Sequence, residues 1–594
     1  MFVRLSLVPF VALLSMCVSS SAHAVHALSL FDAPKYPPYF GHFSYVNPEA
    51  PKGGKVNLYY PAPFDSLNPF VLKGMPAPLA NVLLHDSLMT PSLDEAQTYY
   101  PLIARDVDLA ANRLSMSFLL NKQARFHDGT PITAEDVAFS LKLLQEKGHP
   151  AYQLRYKQVK SVHVFGKHNI IFHFSSNENR DLPFFVAAMP IFSKAYYQDR
   201  DFASKTMEIP LGSGPYRVKK AQAGRFITYE RAPHYWANDL PSRKGMYNFD
   251  ELRFDVYRDE TVALEAFKAQ EYDFREEYMA RSWAEGYNFP AVARGEVKKD
   301  MSPHKMPRGM QGFIYNMRRE KFKDRRVREA IALTFDFEWM NRTLFYNSYS
   351  RNRSFFQNTP FAATGIPSAE EVAFLEPYRD TLPPALFTTP FEVPVSDGSG
   401  FIRDRLIKAD KLLKAAGWII RDGVRVHQET GAPLTIEFLA RQRSLERVTM
   451  VMQRNLDILG IQANYRLVDE SQYQKRTETY DFDISTIWWN MGLVFPGYEQ
   501  YGFWHCSQVG IEGGQNLAGF CNPAVDKLVD KISHARTKQD LEFSARALDR
   551  ILLHEHVVIP HFSLYNFRLA YWDKFGIPTI RPDYDNGFFT WWVK

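Results

Sequence analysis

Apolar residues alternate with polar ones in some stretches of this chain and recur at three- and four-residue spacing in others. Within Gly54 to Tyr60 the apolar positions Val56, Leu58 and Tyr60 are two apart, the period of a half-buried strand, and Pro61 to Pro69 (PAPFDSLNP) then breaks into a loop. The same alternation marks Ser161 to Phe165, Asn169 to Phe174, Arg225 to Arg231, Leu252 to Tyr257, and Ile461, Ala463, Tyr465 and Leu467. Helical spacing takes over at Val137, Leu141 and Leu144, at Leu264 and Phe267, and at Val327, Ile331 and Phe335. It returns at Leu445, Val448, Met452, Leu456 and Leu459, at Val525, Leu528 and Ile532, and at Leu541, Ala545, Leu548 and Leu552. Helix followed by strand, repeated, is the mark of an α/β lobe.

Cap residues set the ends of these elements. Thr133 with Asp136 three residues on makes a capping-box arrangement. Asp324, Thr537 and the pair Asn522-Pro523 start three more helices, while Gly417 and Gly460 end two. Between Asn358 and Gly400 the period is lost and proline is frequent; only Ser368 to Leu375 reads helical, so a long surface excursion is expected. Met301 to Gly309, with Pro303, Pro307 and Gly309, suits a segment that bends at a defined point between two bodies. A chain of 594 residues is too long for one core, so two or three domains are expected.

Composition changes this picture at the amino terminus. Arg4, the apolar run Leu5 to Val18 and the small-x-small end Ala22-His23-Ala24 predict a cleaved secretory signal over residues 1–24 and a periplasmic mature chain. Cys17 would serve a lipoprotein, but Met16 stands where a small residue is needed. Cys506 and Cys521 remain. In an oxidising compartment a disulfide closing that loop is expected, worth about 3 kcal/mol in the chain-entropy model. Metal binding is the other reading, with His505 adjacent but no further Cys-x-x-Cys or spaced His to complete a zinc set. A formal charge of +5 with no long basic run gives no nucleic-acid footprint. Aromatic residues make up 15% of the chain, more than a core needs, which suits a cleft that receives varied side chains.

The sequence does not point to an enzyme. No Gly-x-Ser-x-Gly elbow occurs, and Gly212-Ser213-Gly214 lacks its flanks. In His554-Glu555-His556 the histidines are two apart, so a helix cannot turn both to one metal. Asp481 and Asp483, at strand spacing beside Tyr480, Phe482 and Ile484, read as solvent-facing. No P-loop is present, and no cofactor is expected.

The run F-x-D-G-x-P-x-T-A-x-D-V-x-x-S, here Phe126 to Ser140, resembles the signature of the family 5 extracellular solute-binding proteins, the peptide-binding subunits of ABC importers. Gly212 to Tyr216 (GSGPY), Phe322 to Ile331 (FKDRRVREAI) and Ala409 to Trp418 (ADKLLKAAGW) fit the same family in the same order. Met310 to Phe322, Leu467 to Tyr473 and Thr389 to Gly400 resemble its YejA-like branch.

That resemblance implies an α/β fold of the periplasmic binding protein type (type II, cluster C), with two lobes joined by a hinge and an additional α/β domain. The expected divisions after the signal are 25–70 in lobe I, 71–207 as domain II, 208–303 in lobe I again, 304–556 as lobe III, and 557–594 closing lobe I. It implies a monomer that holds an oligopeptide or peptide-like compound between its lobes and passes it to an inner-membrane permease. A carrier of an oligosaccharide, opine or metal chelate is the alternative, and a secreted hydrolase a further one. Expected ligand contacts are Tyr60, Phe64 and Asp65 where the first strand opens, Arg308, Met310 and Gln311 at the hinge, Arg476, and Trp488, Trp489, Asn490 and Met491. Relatives clamp the peptide ammonium with an aspartate just after this tryptophan; here Met491 or Gly492 stands there, leaving Asp65, Glu470 and Glu499 as candidates.

Overall fold

The computed structural model describes residues 25–489 and 495–594. Lobe I is built on a seven-stranded sheet, in the order Val297–Pro303, Asn566–Trp572, Phe274–Glu276, Lys55–Tyr60, Glu251–Val256, Phe226–Arg231 and Tyr216–Gln222. Lobe III has a five-stranded sheet, in the order Gln462–Leu467, Thr435–Ala440, Ile484–Trp489, Met310–Tyr315 and Val558–Pro560. The alternation that marks these strands in the sequence is the alternation of burial: Val56 and Leu58 sit in the lobe I core. The capped helices form too. Asp324 accepts from Arg326 N at 2.8 Å, Asn522 from Ala524 N at 2.9 Å, and Thr537 from Asp540 N at 3.1 Å.

Two crossings join the lobes. The chain leaves lobe I at Pro303 and enters lobe III at Met310; it leaves again at Pro560 and re-enters lobe I at Asn566. Met301 to Pro303, expected to belong to the hinge, are instead paired with Arg568 to Asn566, so the first crossing is residues 304–309. Likewise Val558 to Pro560 pair with Ile314 to Gly312 in the lobe III sheet, because this buried apolar run extends its core. The chain therefore joins the lobe I sheet only nine residues beyond the division expected at 557.

Domain II carries a four-stranded antiparallel sheet, Ala104–Leu109, Ser115–Leu120, Asn169–Phe174 and Val159–Phe165, with the helix Ala134–Lys147. Asp136 of the signature accepts from Thr133 N at 2.9 Å and Thr133 Oγ1 at 2.7 Å, and its other oxygen takes Lys194 N at 2.9 Å. Ser140 Oγ accepts from Phe192 N at 2.8 Å. The signature thus ties the start of a helix to the chain at Phe192 and Lys194.

The excursion from Asn358 to Gly400 is packed more closely than its sequence predicts. Leu382, Leu386, Phe387 and Val393 are buried, and Ser396 Oγ donates to Asp336 Oδ1 at 2.5 Å. Isolated apolar residues in a stretch without period are enough to hold it down, which periodicity cannot register. Cys506 and Cys521 are disulfide-bonded. Among the described residues no helix is long and apolar enough to cross a membrane.

Candidate functional site

Strand direction fixes which strand ends face the crossings. In lobe I, Lys55–Tyr60 runs parallel to Glu251–Val256 and to Phe274–Glu276, and both neighbours of the hinge pair antiparallel through Asn566–Trp572. Tyr60, Val256, Glu276 and Pro303 therefore all end at one edge of the sheet, where the chain crosses. In lobe III, Thr435–Ala440 is parallel to Gln462–Leu467 and to Ile484–Trp489, which is antiparallel to Met310–Tyr315. Ala440, Leu467, Trp489 and Met310 share the edge facing that same crossing. Two sheets thus present the carboxyl ends of their parallel strands to each other across a two-segment hinge, the place where open α/β sheets bind ligands.

The expected contacts divide at this cleft. Trp488 and Trp489 point to opposite faces of their strand: Trp488 is 55% exposed, whereas Trp489 is 4% exposed and packs on Phe355 and Trp504 at 5.3 and 5.0 Å. Gln311, the cross-strand partner of Trp488, is half-buried at the same rim. Met310 pairs with Trp489 and is buried in the lobe III core, and Phe64 is buried in the lobe I core. Neither offers a guest a surface, because each sits on the inward side of a strand or turn whose outward side alone meets solvent.

Tyr60 is half-buried, its carbonyl accepting from Tyr257 N at 3.0 Å. Asp65 is engaged on both oxygens, by Lys205 Nζ at 2.6 Å and Met75 N at 2.7 Å. Arg308 bonds Leu564 O at 2.8 Å and His304 Nε2 at 2.7 Å, tying one crossing to the other. Arg476 lies at the far end of its helix from the cleft and is paired with Glu437 at 2.6 Å and Asp481 at 3.3 Å. A helix that starts at the cleft edge, at Asp469, carries its last turn away from it. Asn490 and Met491, with Gly492, lie outside the described residues, as does the side chain of Glu470. Glu499 lies within domain II contacts near Asp181, accepts from Gly497 N at 2.8 Å, and is pushed up to about 7 by burial.

Sequence reasoning missed the acidic corner of lobe I. Glu276 ends a three-residue strand and accepts from Asn586 Nδ2 at 3.0 Å. Beside it the Asp585 carboxyl is pushed up to about 6, first by burial and further by the charge of Glu276, although Gly587 N donates to it at 2.7 Å. Tyr278 is 63% exposed next to this pair. A three-residue strand has no period to read, and 585 is three hundred positions from 276 in the chain. Across the hinge, Tyr349 Oη donates to Tyr278 O at 3.2 Å, Tyr346 Oη to Glu285 at 2.7 Å, and Arg568 Nη2 to Ser348 O at 3.0 Å, so lobe III rests on lobe I here.

The returning crossing carries His561, fully buried, stacked on Phe335 at 5.6 Å and edge-on to Phe313 at 4.3 Å. Neither ring nitrogen has a partner among the described residues. Burial pushes its pKa down to about 3, and the Arg351 charge adds to this. An unfolded imidazole titrates near 6.5, so between the two values the unfolded chain binds more protons and stability falls as pH falls. At about 1.4 kcal/mol per pH unit, His561 contributes a loss of about 2 kcal/mol between pH 6.5 and 5. His561→Phe should flatten the fall in urea-unfolding free energy between pH 7 and 5 by that amount; a slope equal to wild type would show that the imidazole is protonated freely in the folded chain.

Among the described residues no group of three His, Cys, Asp or Glu side chains could hold a metal ion. The model of the bacterial extracellular solute-binding proteins, family 5, middle region, matches residues 98–510. The chain is 38% identical to YejA of Escherichia coli over 594 residues, all of this chain and 97% of that one. It is also 38% identical to a probable peptide-binding protein, YejA, of Agrobacterium fabrum, covering 94% of this chain and 92% of that one. The oligopeptide-binding protein AppA of Bacillus subtilis, solved with a nonapeptide, has a similar fold, with a TM-score of 0.68 at 18% identity over 92% of this chain and all of that one.

Proposed function

The chain belongs to the bacterial extracellular solute-binding proteins of family 5, binding proteins rather than enzymes, and from that membership we propose that it captures oligopeptides or peptide-like compounds in the interlobe cleft and delivers them to an inner-membrane permease. The observation that carries this reading is the opposition of two strand-end edges across a two-segment hinge. Such a cleft closes because the closed form holds the guest more tightly, and the guest leaves unchanged. Strand ends expose unpaired backbone groups, which suit a peptide main chain whatever its side chains. Tyr60, Arg308, Gln311 and Trp488 are the expected contacts retained in this reading, joined by Glu276, Tyr278 and Asp585. The protein acts as a monomer in the periplasm, released there by removal of residues 1–24, and needs no cofactor.

The test is to purify the chain natively, denature it, and identify what is released by mass spectrometry. Peptides are the expected result, and re-adding them should raise the melting temperature while they remain intact. Release of a sugar, an opine or a metal complex would transfer the protein to another class of carrier, and cleavage of an added fluorogenic peptide would make it a hydrolase.

A further inference from the structure

Domain II and lobe III, which neither crossing joins, meet at a polar contact of their own. Arg180, just before the helix Leu182–Ala187, donates Nη1 to Ile532 O at 2.8 Å and Nη2 to Pro496 O, and Arg536 Nη2 donates back to Asn177 O at 3.3 Å. Beside them Phe31 packs edge-on to Phe495 at 5.2 Å. Two carboxyl groups face each other inside this contact, one from each side. Asp181 Oδ1 accepts from Gln97 Nε2 at 3.2 Å, and Glu499 Oε1 from Gly497 N at 2.8 Å and Gln500 Nε2 at 3.2 Å. Their other oxygens lie against Gly497, where an added Cβ would stand 2.3 Å from Asp181 Oδ2 and 3.1 Å from Glu499 Oε2. The two oxygens are therefore on the order of 5 Å apart or less, close enough for one charge to oppose the other. Arg180 reaches Asp181 at 3.7 Å, with side chains 2% and 4% exposed, but among the described residues no cationic nitrogen stands within 4.0 Å of Glu499. Arg113, which donates to Arg180 O at 2.9 Å, is the other charge felt by Asp181, with Arg536 beside it; Tyr99 is the remaining titratable neighbour.

We propose that Asp181 and Glu499 share one proton, which makes the contact between domain II and lobe III a latch that acid fastens and neutral pH loosens. This rests on the reading that the cleft opens and closes: domain II is carried by lobe I, so lobe III swinging about the crossings must part the contact. While it is made, burial holds the Glu499 carboxyl up at about 7, with the Asp181 charge adding to burial, and burial raises Asp181 as well. Once parted, both acids return to the usual carboxylate range near 4. The made contact thus binds more protons than the parted one. Its stability is complete below about pH 4.5, is lost as pH rises to about 7, and changes little beyond. Which of the two acids carries the proton is immaterial, since the pair titrates as a unit.

Amide hydrogen exchange of the full mature chain, stripped of guest, follows the contact through residues 177–188 and 495–504 from pH 5 to 8, after correction for the intrinsic rate. Wild type should lose protection in both segments by about tenfold or more between pH 5 and 7, with little change above. Glu499→Gln, which cannot ionise, should hold its pH 5 protection to pH 8 within about threefold. Gly497→Ala, whose methyl displaces Asp181, should lack that protection at every pH. Melting temperature verifies that both variants fold. Protection in wild type that ignores pH, an equal fall in Glu499→Gln, or full protection in Gly497→Ala overturns the latch. No guest is present, so a failure of peptide capture shows in what the purified protein releases and leaves these outcomes unmoved.

Discussion

Arg275→Met should lower the unfolding free energy by about 3–5 kcal/mol, the usual result of leaving one member of a buried ion pair behind. Arg275 and Glu277 are each 1% exposed and 2.9 Å apart. The guanidinium also bonds Tyr272 Oη at 3.0 Å and Glu260 at 2.7 Å, and lies 4.8 Å over the Tyr59 ring. Without it, Glu277 would keep only Met279 N at 2.8 Å and Tyr287 Oη at 3.0 Å. Those bonds steer the chain past Glu276 and Tyr278 at the cleft edge, so peptide retention should weaken alongside stability. Urea unfolding at pH 7 reads the first effect. Arg275→Met/Glu277→Leu should recover most of the loss, since a buried pair replaced whole by apolar groups is often neutral. A single variant within about 0.5 kcal/mol of wild type would mean that the pair is not sealed from water.

Gly212→Val should be nearly as damaging, by about 3 kcal/mol or more, and for a steric reason. A Cβ at Gly212 would stand 2.0 Å from the backbone oxygen of Leu84. That oxygen accepts from Ser213 N at 2.9 Å and Gly214 N at 3.0 Å, while Gly212 O accepts from His127 N at 2.8 Å. Ser213 Oγ takes Asp86 N at 3.0 Å. The contact is therefore backbone against backbone, between Leu84 in the lobe I core and the returning chain, and no rotamer change relieves it. Urea unfolding monitored by tryptophan fluorescence should show the loss as a lower midpoint. An unchanged midpoint would exclude the close approach.

Both variants bear on what could be foreseen. GSGPY is visible as a family motif, yet its physical task, admitting a neighbouring carbonyl, depends on Leu84, far away in the chain. Arg275 carries no sequence signal at all, since it sits in a strand of three residues. The tryptophan pair shows the boundary sharply. Alternation predicts that Trp488 and Trp489 face opposite ways, but not which one meets the cleft; Phe355 and Trp504 decide that by filling the space beside Trp489. Arg476 misled for a related reason. Its residue type suits a carboxylate, and only the course of its helix shows that it lies beside Glu437 and Asp481 instead.

The sequence by itself determined the elements, their caps, the α/β class and the family, because each is written in residues within one or two turns of one another and their energetics are local. Tertiary structure alone decided which strand ends share an edge. Tyr60, Val256 and Glu276 in lobe I, and Ala440, Leu467 and Trp489 in lobe III, come from distant parts of the chain and lie together only because parallel strands bring their carboxyl ends to one edge in each lobe. Sheet order and direction are settled by burying apolar faces across the whole chain, and no local window contains that information.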